Sequence, residues 1–254
     1  MKHTVFTIIG LLLAMVCHAA PVVEQANQAY DRELYKKALE LYTSQEKTGE
    51  VSSDLYYNIG NTYYRLNDAA HAILYYERAL LLDPGNSEAR SNLQFVRERT
   101  GINHQDGANI IQVAINTVVA RFSSNTWAVL ALVAFLLMLA GVAAYLWLDS
   151  VGWRKTGFFG AMVMLVVVVA SVTCAVHNRN VAVDRNAAIV VADNVALSHA
   201  PRPAKDKSEV AFELVKGVKV TITDRVGKDN NRWLRVLTDD RRQAWLRADQ
   251  VEII

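Results

Sequence analysis

Asparagine and tyrosine residues recur 34 positions apart in the N-terminal part of this chain, and an arginine follows the second tyrosine. A side-chain amide offers both a hydrogen-bond donor and an acceptor, so it can bind both polar groups of a peptide backbone, and an arginine can bind a carboxylate. This pattern predicts a surface for an extended peptide. The alternative is that the same side chains bond to one another between structural repeats. The predicted peptide-binding residues are Asn27, Tyr30, Asn58, Asn61, Tyr64, Arg65 and Asn92.

Catalytic groups do not form a recognisable set in this sequence. The histidines have no i, i+3 or i, i+4 pairing of the kind that binds zinc, and there is neither a nucleophile elbow nor a phosphate-binding glycine loop. Cys17 lies in a predicted leader and Cys174 in a predicted membrane span, so no disulfide or thiolate metal site is expected. We therefore expect no catalytic residues, no cofactor and no metal. The histidines are His3, His18, His71, His104, His177 and His199.

Residues 53–84 explain the 34-residue spacing, because they carry small and large side chains at the positions of a helical hairpin. The small residues let two antiparallel helices approach closely, and the large residues fill the gaps. The matching residues are Tyr56, Ile59, Gly60, Tyr63, Ala72, Tyr76, Ala79 and Pro84. The stretch resembles a tetratricopeptide repeat. That resemblance implies the binding of a protein partner rather than chemistry.

Weaker matches extend the repeats over residues 21–100. Val22 to about Glu50 repeats the pattern one period earlier. Ser87 to Arg99 matches only the first helix of a third unit, which predicts a terminal helix that covers the last repeat. Ser87 is the expected cap of that helix.

Three apolar runs predict a membrane protein. Residues 1–20 have the basic start and short apolar core of a signal peptide, with an uncleaved anchor as the alternative. Residues 126–148 and 157–177 are each long enough to cross a membrane, with 149–156 as the loop between them. Residues 101–125 are expected to be a linker with an amphipathic helix, which lies either on the membrane or under the repeats.

The loop between the spans carries Arg154 and Lys155, which favours the cytoplasmic side. Arg121, Arg179 and Arg185 flank the other ends and oppose that orientation, so the signal peptide decides it. We expect a protein of the inner (cytoplasmic) membrane with both soluble parts in the periplasm.

The C-terminal residues 186–254 change to alternating patterns rich in β-branched residues. The predicted strands are 188–192, 218–223, 233–237 and 243–246. The segment resembles bacterial SH3-like domains, on Ala188-Ile-Val, Phe212-Glu-Leu-Val-Lys-Gly-Val-Lys-Val, Trp233-Leu-Arg-Val and Ala244-Trp-Leu-Arg-Ala-Asp-Gln-Val-Glu-Ile; Ala244 replaces the usual glycine. The resemblance implies a small β-barrel. Trp233 and Trp245 are expected in its core, and Arg241, Arg242 and Arg247 on a solvated face.

The predicted fold class is therefore multidomain: α-helical tetratricopeptide repeats, two transmembrane helices and a small SH3-like β-barrel. This order, with Ser123-Ser-Asn-Thr-Trp127 opening the hairpin, resembles the BatE-like proteins of bacterial aerotolerance (Bat) operons. The resemblance implies an envelope scaffold for stress tolerance beside von Willebrand A-type membrane proteins and a MoxR-type ATPase.

Two functions remain open at this point. One is a non-enzymatic scaffold for envelope proteins, and the other is a module that grips peptidoglycan through the SH3-like domain and tethers a cell-wall enzyme. Nucleic acid is not an expected partner, because the net charge is only +2 and no dense basic face is predicted.

Overall fold

The computed structural model describes residues 21–102, 119, 122–183, 186–227 and 232–254. The predicted signal peptide, residues 1–20, and most of the predicted linker and amphipathic helix lie outside the described residues. The same holds for Arg121 and Arg185, which entered the prediction of membrane orientation.

The N-terminal region contains five described helices. They are α1 (Pro21–Asp31), α2 (Tyr35–Lys47), α3 (Ser53–Arg65), α4 (Ala69–Leu82) and α5 (Ser87–Thr100). The first four form two helical hairpins, and α5 follows as a single helix, as the repeat pattern predicts. The helical class predicted for this region is confirmed.

The turn that ends each first helix recurs with the same 34-residue period. Glu33, Asn67 and Gly101 all have left-handed backbone, with φ of 60°, 62° and 71°. In each case the next residue donates its backbone N–H to a carbonyl five positions earlier, with N···O distances of 2.9, 2.9 and 3.1 Å. This geometry closes a helix by satisfying a terminal carbonyl. The helix α5 therefore ends in the same way as the first helices of the two complete repeats.

Side chains cap the starts of three of these helices. Ser52 accepts from the N–H of Leu55 at the start of α3, and Asp68 accepts from the N–H of His71 at the start of α4. The expectation that Ser87 caps α5 is wrong. The cap is Asn86, whose Oδ1 accepts from the N–H of Ala89 at 2.9 Å, because Ser87 is already the first helical residue.

Gly60 brings the two helices of the second repeat together. A Cβ at this position would lie 2.7 Å from the Tyr76 ring, so α4 packs where a side chain would otherwise be. Tyr76 itself is 1% exposed and belongs to one continuous core with Tyr42, Ile59 and Leu74. Close approach and large aromatic fillers thus occur at the positions that the sequence pattern predicts.

The two apolar helices form a hairpin. They are α6 (Ser124–Trp147) and α7 (Val151–Val183), and both are long and apolar enough to cross a membrane. The helix α7 begins inside the predicted loop 149–156 and continues past residue 177. Hydropathy locates the apolar part of a helix, whereas backbone hydrogen bonding continues the helix into polar residues at both ends.

The C-terminal region, here called the β-domain (residues 186–254 as described), is an antiparallel sheet. Its described strands are β1 (Ala187–Val190), β2 (Val195–Ser198), β3 (Val210–Leu214), β4 (Lys219–Val226), β5 (Trp233–Leu237), β6 (Gln243–Arg247) and β7 (Val251–Ile253). The strand order is β3-β2-β6-β5-β4-β1-β7. One apolar core includes Val190, Leu197, Val236 and Leu246, each at 0% exposure. The antiparallel β class is confirmed, and β2, β3 and β7 were not predicted as strands.

Candidate protein-binding surface

A buried hydrogen bond joins the two helices of each repeat. The Tyr42 hydroxyl on α2 donates to Asn27 Oδ1 on α1 at 2.6 Å, and the Tyr76 hydroxyl on α4 donates to Asn61 Oδ1 on α3 at 2.7 Å. Burial raises the pKa of Tyr42 to about 12, so its hydroxyl keeps its proton and remains a donor. The 34-residue recurrence of these asparagines therefore corresponds to a repeated structural bond.

Asn61 also connects the second repeat to the terminal helix. Asn92 on α5 donates its amide to Asn61 Oδ1 at 2.8 Å and contacts the Tyr57 hydroxyl at 3.4 Å. Asn58 is half-buried on α3, and its backbone carbonyl accepts from the Thr62 hydroxyl at 2.7 Å. For Asn27, Asn61 and Asn92, bonds between helices are what the structure displays, while peptide binding by these residues stays a prediction.

The remaining predicted residues lie on a more exposed part of the repeats. The Arg65 guanidinium is 4.9 Å from the Tyr35 ring centroid, and its Nε donates to the Tyr35 hydroxyl at 2.8 Å. Tyr30 contacts the edge of Tyr35 with ring centroids 5.3 Å apart. Although Glu33 lies 3.7 Å away, 47% of the Arg65 side chain remains exposed. Arg65 can therefore contact a partner without leaving its aromatic support.

A second, similar cluster follows on α3 and α5. Tyr64 and Phe95 meet edge to face with centroids 5.9 Å apart, and Arg99 donates to the Tyr64 hydroxyl at 3.0 Å. Phe95 is 50% exposed, which is unusual for so large an apolar side chain. We call these two clusters together the tyrosine–arginine surface. Its residues are Tyr30, Tyr35, Tyr64, Arg65, Phe95 and Arg99.

Sequence reasoning missed half of this surface. Arg99 follows Arg65 by 34 positions, so the repeat period could have identified it. Tyr35 and Phe95 have no aromatic counterpart one period away, and only the packing of the helices brings them to the surface.

A different face of the repeats is covered by the β-domain. Ile189 of β1 is completely buried in the same core as the repeat helices. Gly217, with φ +93°, approaches so closely that a Cβ would lie 2.7 Å from Ile102 and 3.3 Å from Ile73. The Arg78 guanidinium on α4 donates to the Ile253 carbonyl at 2.7 Å. The docked face shares no residue with the tyrosine–arginine surface.

Ion pairs surround this docking contact. His71 on α4 lies 2.7 Å from Asp68 and 3.4 Å from Glu252 of β7. Lys216 of the β-domain pairs with Asp68 at 3.2 Å, and Lys219 pairs with Glu77 at 3.0 Å. The hydrogen bonds to Asp68 and Glu252 raise the pKa of His71 to about 9, so His71 is a cation at neutral pH.

The two carboxyl groups respond in the opposite direction. Burial opposes ionisation of Asp68, but its hydrogen bond and charge interaction with His71 outweigh burial and lower the pKa to about 2. The hydrogen bond to His71 likewise lowers the pKa of Glu252. Among the described residues, no group of three or more His, Cys, Asp or Glu side chains is placed to hold a metal ion.

The aromatic and basic residues of the β-domain occupy different environments. Trp233 is 7% exposed, as expected for a core residue, while Trp245 is half-buried. The three arginines predicted on a solvated face are exposed. Arg242 stacks on Phe212 at 4.3 Å and pairs with Asp240, whereas Arg247 pairs with Asp249.

Comparison with known proteins supports the repeat and leaves the rest of the chain unassigned. The tetratricopeptide repeat family model matches residues 53–86, which contain α3 and α4. Those residues are therefore a tetratricopeptide repeat, a unit that indicates a protein partner. No curated protein matches the chain.

Proposed function

We propose that this protein is a non-enzymatic scaffold that is anchored in the inner membrane by α6 and α7 and captures an envelope protein on its tyrosine–arginine surface. The single observation that carries this proposal is the detected repeat with exposed Arg65 and Phe95 beside it. Two guanidinium groups on aromatic supports suit a partner segment that carries carboxylates and apolar side chains.

The non-enzymatic part is supported by the use of the titratable residues. Asp68, His71 and Glu252 are the obvious candidates for acid–base chemistry, and they are ion-paired across the contact between the repeats and the β-domain. Groups held in this way stabilise docking instead of facing a substrate cleft. A Bat-type stress-tolerance complex with von Willebrand A-type proteins is the partner set that the segment order favours.

Photocrosslinking in intact membranes tests the scaffold proposal. A photoreactive amino acid at Phe95 should capture a defined protein, and Arg65→Ala with Arg99→Ala should reduce that capture at least tenfold, since hydrogen bonds to charged groups are lost. Arg235→Ala removes an exposed arginine of the β-domain and is the matched control. Equal capture by the double variant and the control would exclude the tyrosine–arginine surface.

A second candidate is attachment to peptidoglycan through the β-domain. A cleft of about 410 Å³ lies beside Trp233 and is lined by Lys205, Lys207 and Arg247, which suits the carboxylates of peptidoglycan stem peptides. Purified sacculi should then retain the whole solubilised protein at moderate salt. Retention that survives Lys205→Gln with Lys207→Gln would argue against this cleft.

A further inference from the structure

A cleft lies where the repeats meet the membrane hairpin. Leu81 and Leu82 at the end of α4 form one wall, Asn125 and Ala128 on α6 form a second, and Val176 and Arg179 on α7 form the third. Its volume is about 570 Å³, within the range of about 300–1,000 Å³ typical of small-molecule sites.

The polarity of the cleft changes along the hairpin. On α6, Asn125 lies one turn nearer the helix start than Ala128, and on α7, Arg179 lies one turn nearer the helix end than Val176. The polar residues are thus at the end of the hairpin that joins the soluble regions, and the apolar residues lie deeper. A phospholipid in the adjoining leaflet has the same order, with its phosphate outside its acyl chains.

Hydrogen bonds fix the walls of the cleft. The Ser124 hydroxyl donates to the Ala175 carbonyl at 2.9 Å, which ties the start of α6 to α7. The Asn178 amide donates to the carbonyls of Val119 and Phe122, each at 2.9 Å. These contacts hold the two helix ends in place before any ligand arrives.

The charge of the cleft favours an anion. Arg179 is exposed, it lines the cleft, and no carboxylate side chain is among the residues that line it. A guanidinium can donate two parallel hydrogen bonds to a phosphate. Leu82 is 46% exposed at the opposite wall, where it would contact an apolar chain.

We propose that this cleft binds one phospholipid molecule, with its phosphate at Arg179 and Asn125 and an acyl chain along Ala128 and Val176. This inference rests on the membrane anchoring of the proposed function. The bound lipid would fill the space between α4 and the hairpin, so it would hold the repeats at a fixed height above the bilayer.

Native mass spectrometry of the full chain in detergent tests the proposal. Phosphatidylglycerol and phosphatidylethanolamine should each load to one molecule per chain, and diacylglycerol, which lacks the phosphate, should bind at least tenfold more weakly. Arg179→Gln should lower phospholipid loading at least tenfold. Ala128→Phe should also lower loading, because it fills the apolar part of the cleft and keeps the charge.

Arg154→Gln is the control, since Arg154 stacks on Tyr145 at the opposite end of the hairpin. Loading in this variant should equal that of the unmodified chain. Unchanged loading in Arg179→Gln, or equal loading of diacylglycerol, would overturn the lipid site. Binding of inorganic phosphate as tight as that of phospholipid would assign the site to a free anion and overturn the lipid as occupant.

Extraction of membranes with alkaline carbonate separates this proposal from the anchoring on which it rests. The chain should remain in the membrane whatever residue occupies position 179. Release of the unmodified chain would overturn the anchoring and the lipid site together. Retention with unchanged lipid loading in Arg179→Gln would overturn the lipid site alone.

Discussion

Asn61 combines two roles in one side chain, because its amide oxygen accepts from both Tyr76 and Asn92. Asn61→Ala would leave two donors without this acceptor in a partly buried network. We expect the free energy of unfolding of the repeats to fall by about 1–3 kcal/mol. Asn58→Ala, on the same helix and outside this network, is the control and should cost less. Urea unfolding followed by circular dichroism measures both, and equal costs would mean that the network adds nothing.

Gly60 tests the close approach of helices within the detected repeat. In Gly60→Leu the new side chain would occupy the place of the Tyr76 ring, which lies 2.7 Å from a Cβ at that site. We expect a loss of about 1–3 kcal/mol or more, as overpacking of a filled core costs. Gln94→Leu adds the same side chain at an exposed position of α5 and should change stability by about 0.5 kcal/mol at most. A Gly60 variant as stable as the Gln94 variant would contradict the packing.

The hairpin offers a matched pair of glycines on one helix. A Cβ at Gly157 would lie 2.6 Å from the Gly141 carbonyl, whereas a Cβ at Gly160 meets nothing within 4 Å. Small residues allow membrane helices to pack closely. Gly157→Leu should therefore separate α6 from α7 and lower the midpoint of thermal unfolding in detergent, while Gly160→Leu should not. Equal midpoints would show that the contact carries no stability.

Secondary structure was predictable where the sequence repeats or is uniformly apolar. The helices α1 to α5 follow a 34-residue pattern, and α6 and α7 follow long uncharged runs. The strands β2, β3 and β7 contain only 4, 5 and 3 residues. The strand β2 is recorded as pairing with β6 only through Ser198 and Trp245, so its position depends on contacts distant in sequence. Local alternation cannot reveal a strand of this kind.

The candidate surface was predictable only in part. The repeat period identified Tyr30, Tyr64 and Arg65, but it could not separate exposed residues from the internal network of Asn27 and Asn61, because both recur with the same spacing. The docking of the β-domain was not predicted at all. Lys219 and Glu77 are 142 positions apart, and no local pattern relates them.

At the scale of the whole molecule, the repeats and the β-domain are held together by charges that titrate. The pKa of His71 is raised from its ordinary 6.5 to about 9, so its contribution to docking is complete below about pH 6.5 and is lost as the pH rises through 9. The lowered pKa values of Asp68 and Glu252 act in the opposite sense, and their contribution is lost in acid. Docking should therefore be strongest between about pH 5 and 6.5.

Hydrogen exchange in α4 and β7 measures this dependence when it is corrected for intrinsic rates. Protection should fall from pH 6.5 to 9.5 in the unmodified chain. His71→Ala should weaken protection at pH 6.5 and flatten the alkaline fall, while His199→Ala, at an exposed site of the β-domain, should reproduce the unmodified profile. A His71 variant that retains the full alkaline fall would assign the effect to another group.

Membrane topology is the last property of the whole chain that the sequence predicts. The signal peptide and two spans place the repeats and the β-domain on the same side, and their direct contact through Ile189 and Arg78 requires the same arrangement. In a background without Cys17 and Cys174, single cysteines at Lys36, Ser150 and Glu213 occupy exposed positions in the repeats, the hairpin loop and the β-domain. An impermeant thiol reagent added to whole cells with a permeable outer membrane should label positions 36 and 213 and spare 150. Labelling of 150 alone would invert the orientation, and labelling of only one of 36 and 213 would contradict both the hairpin and the docked domains.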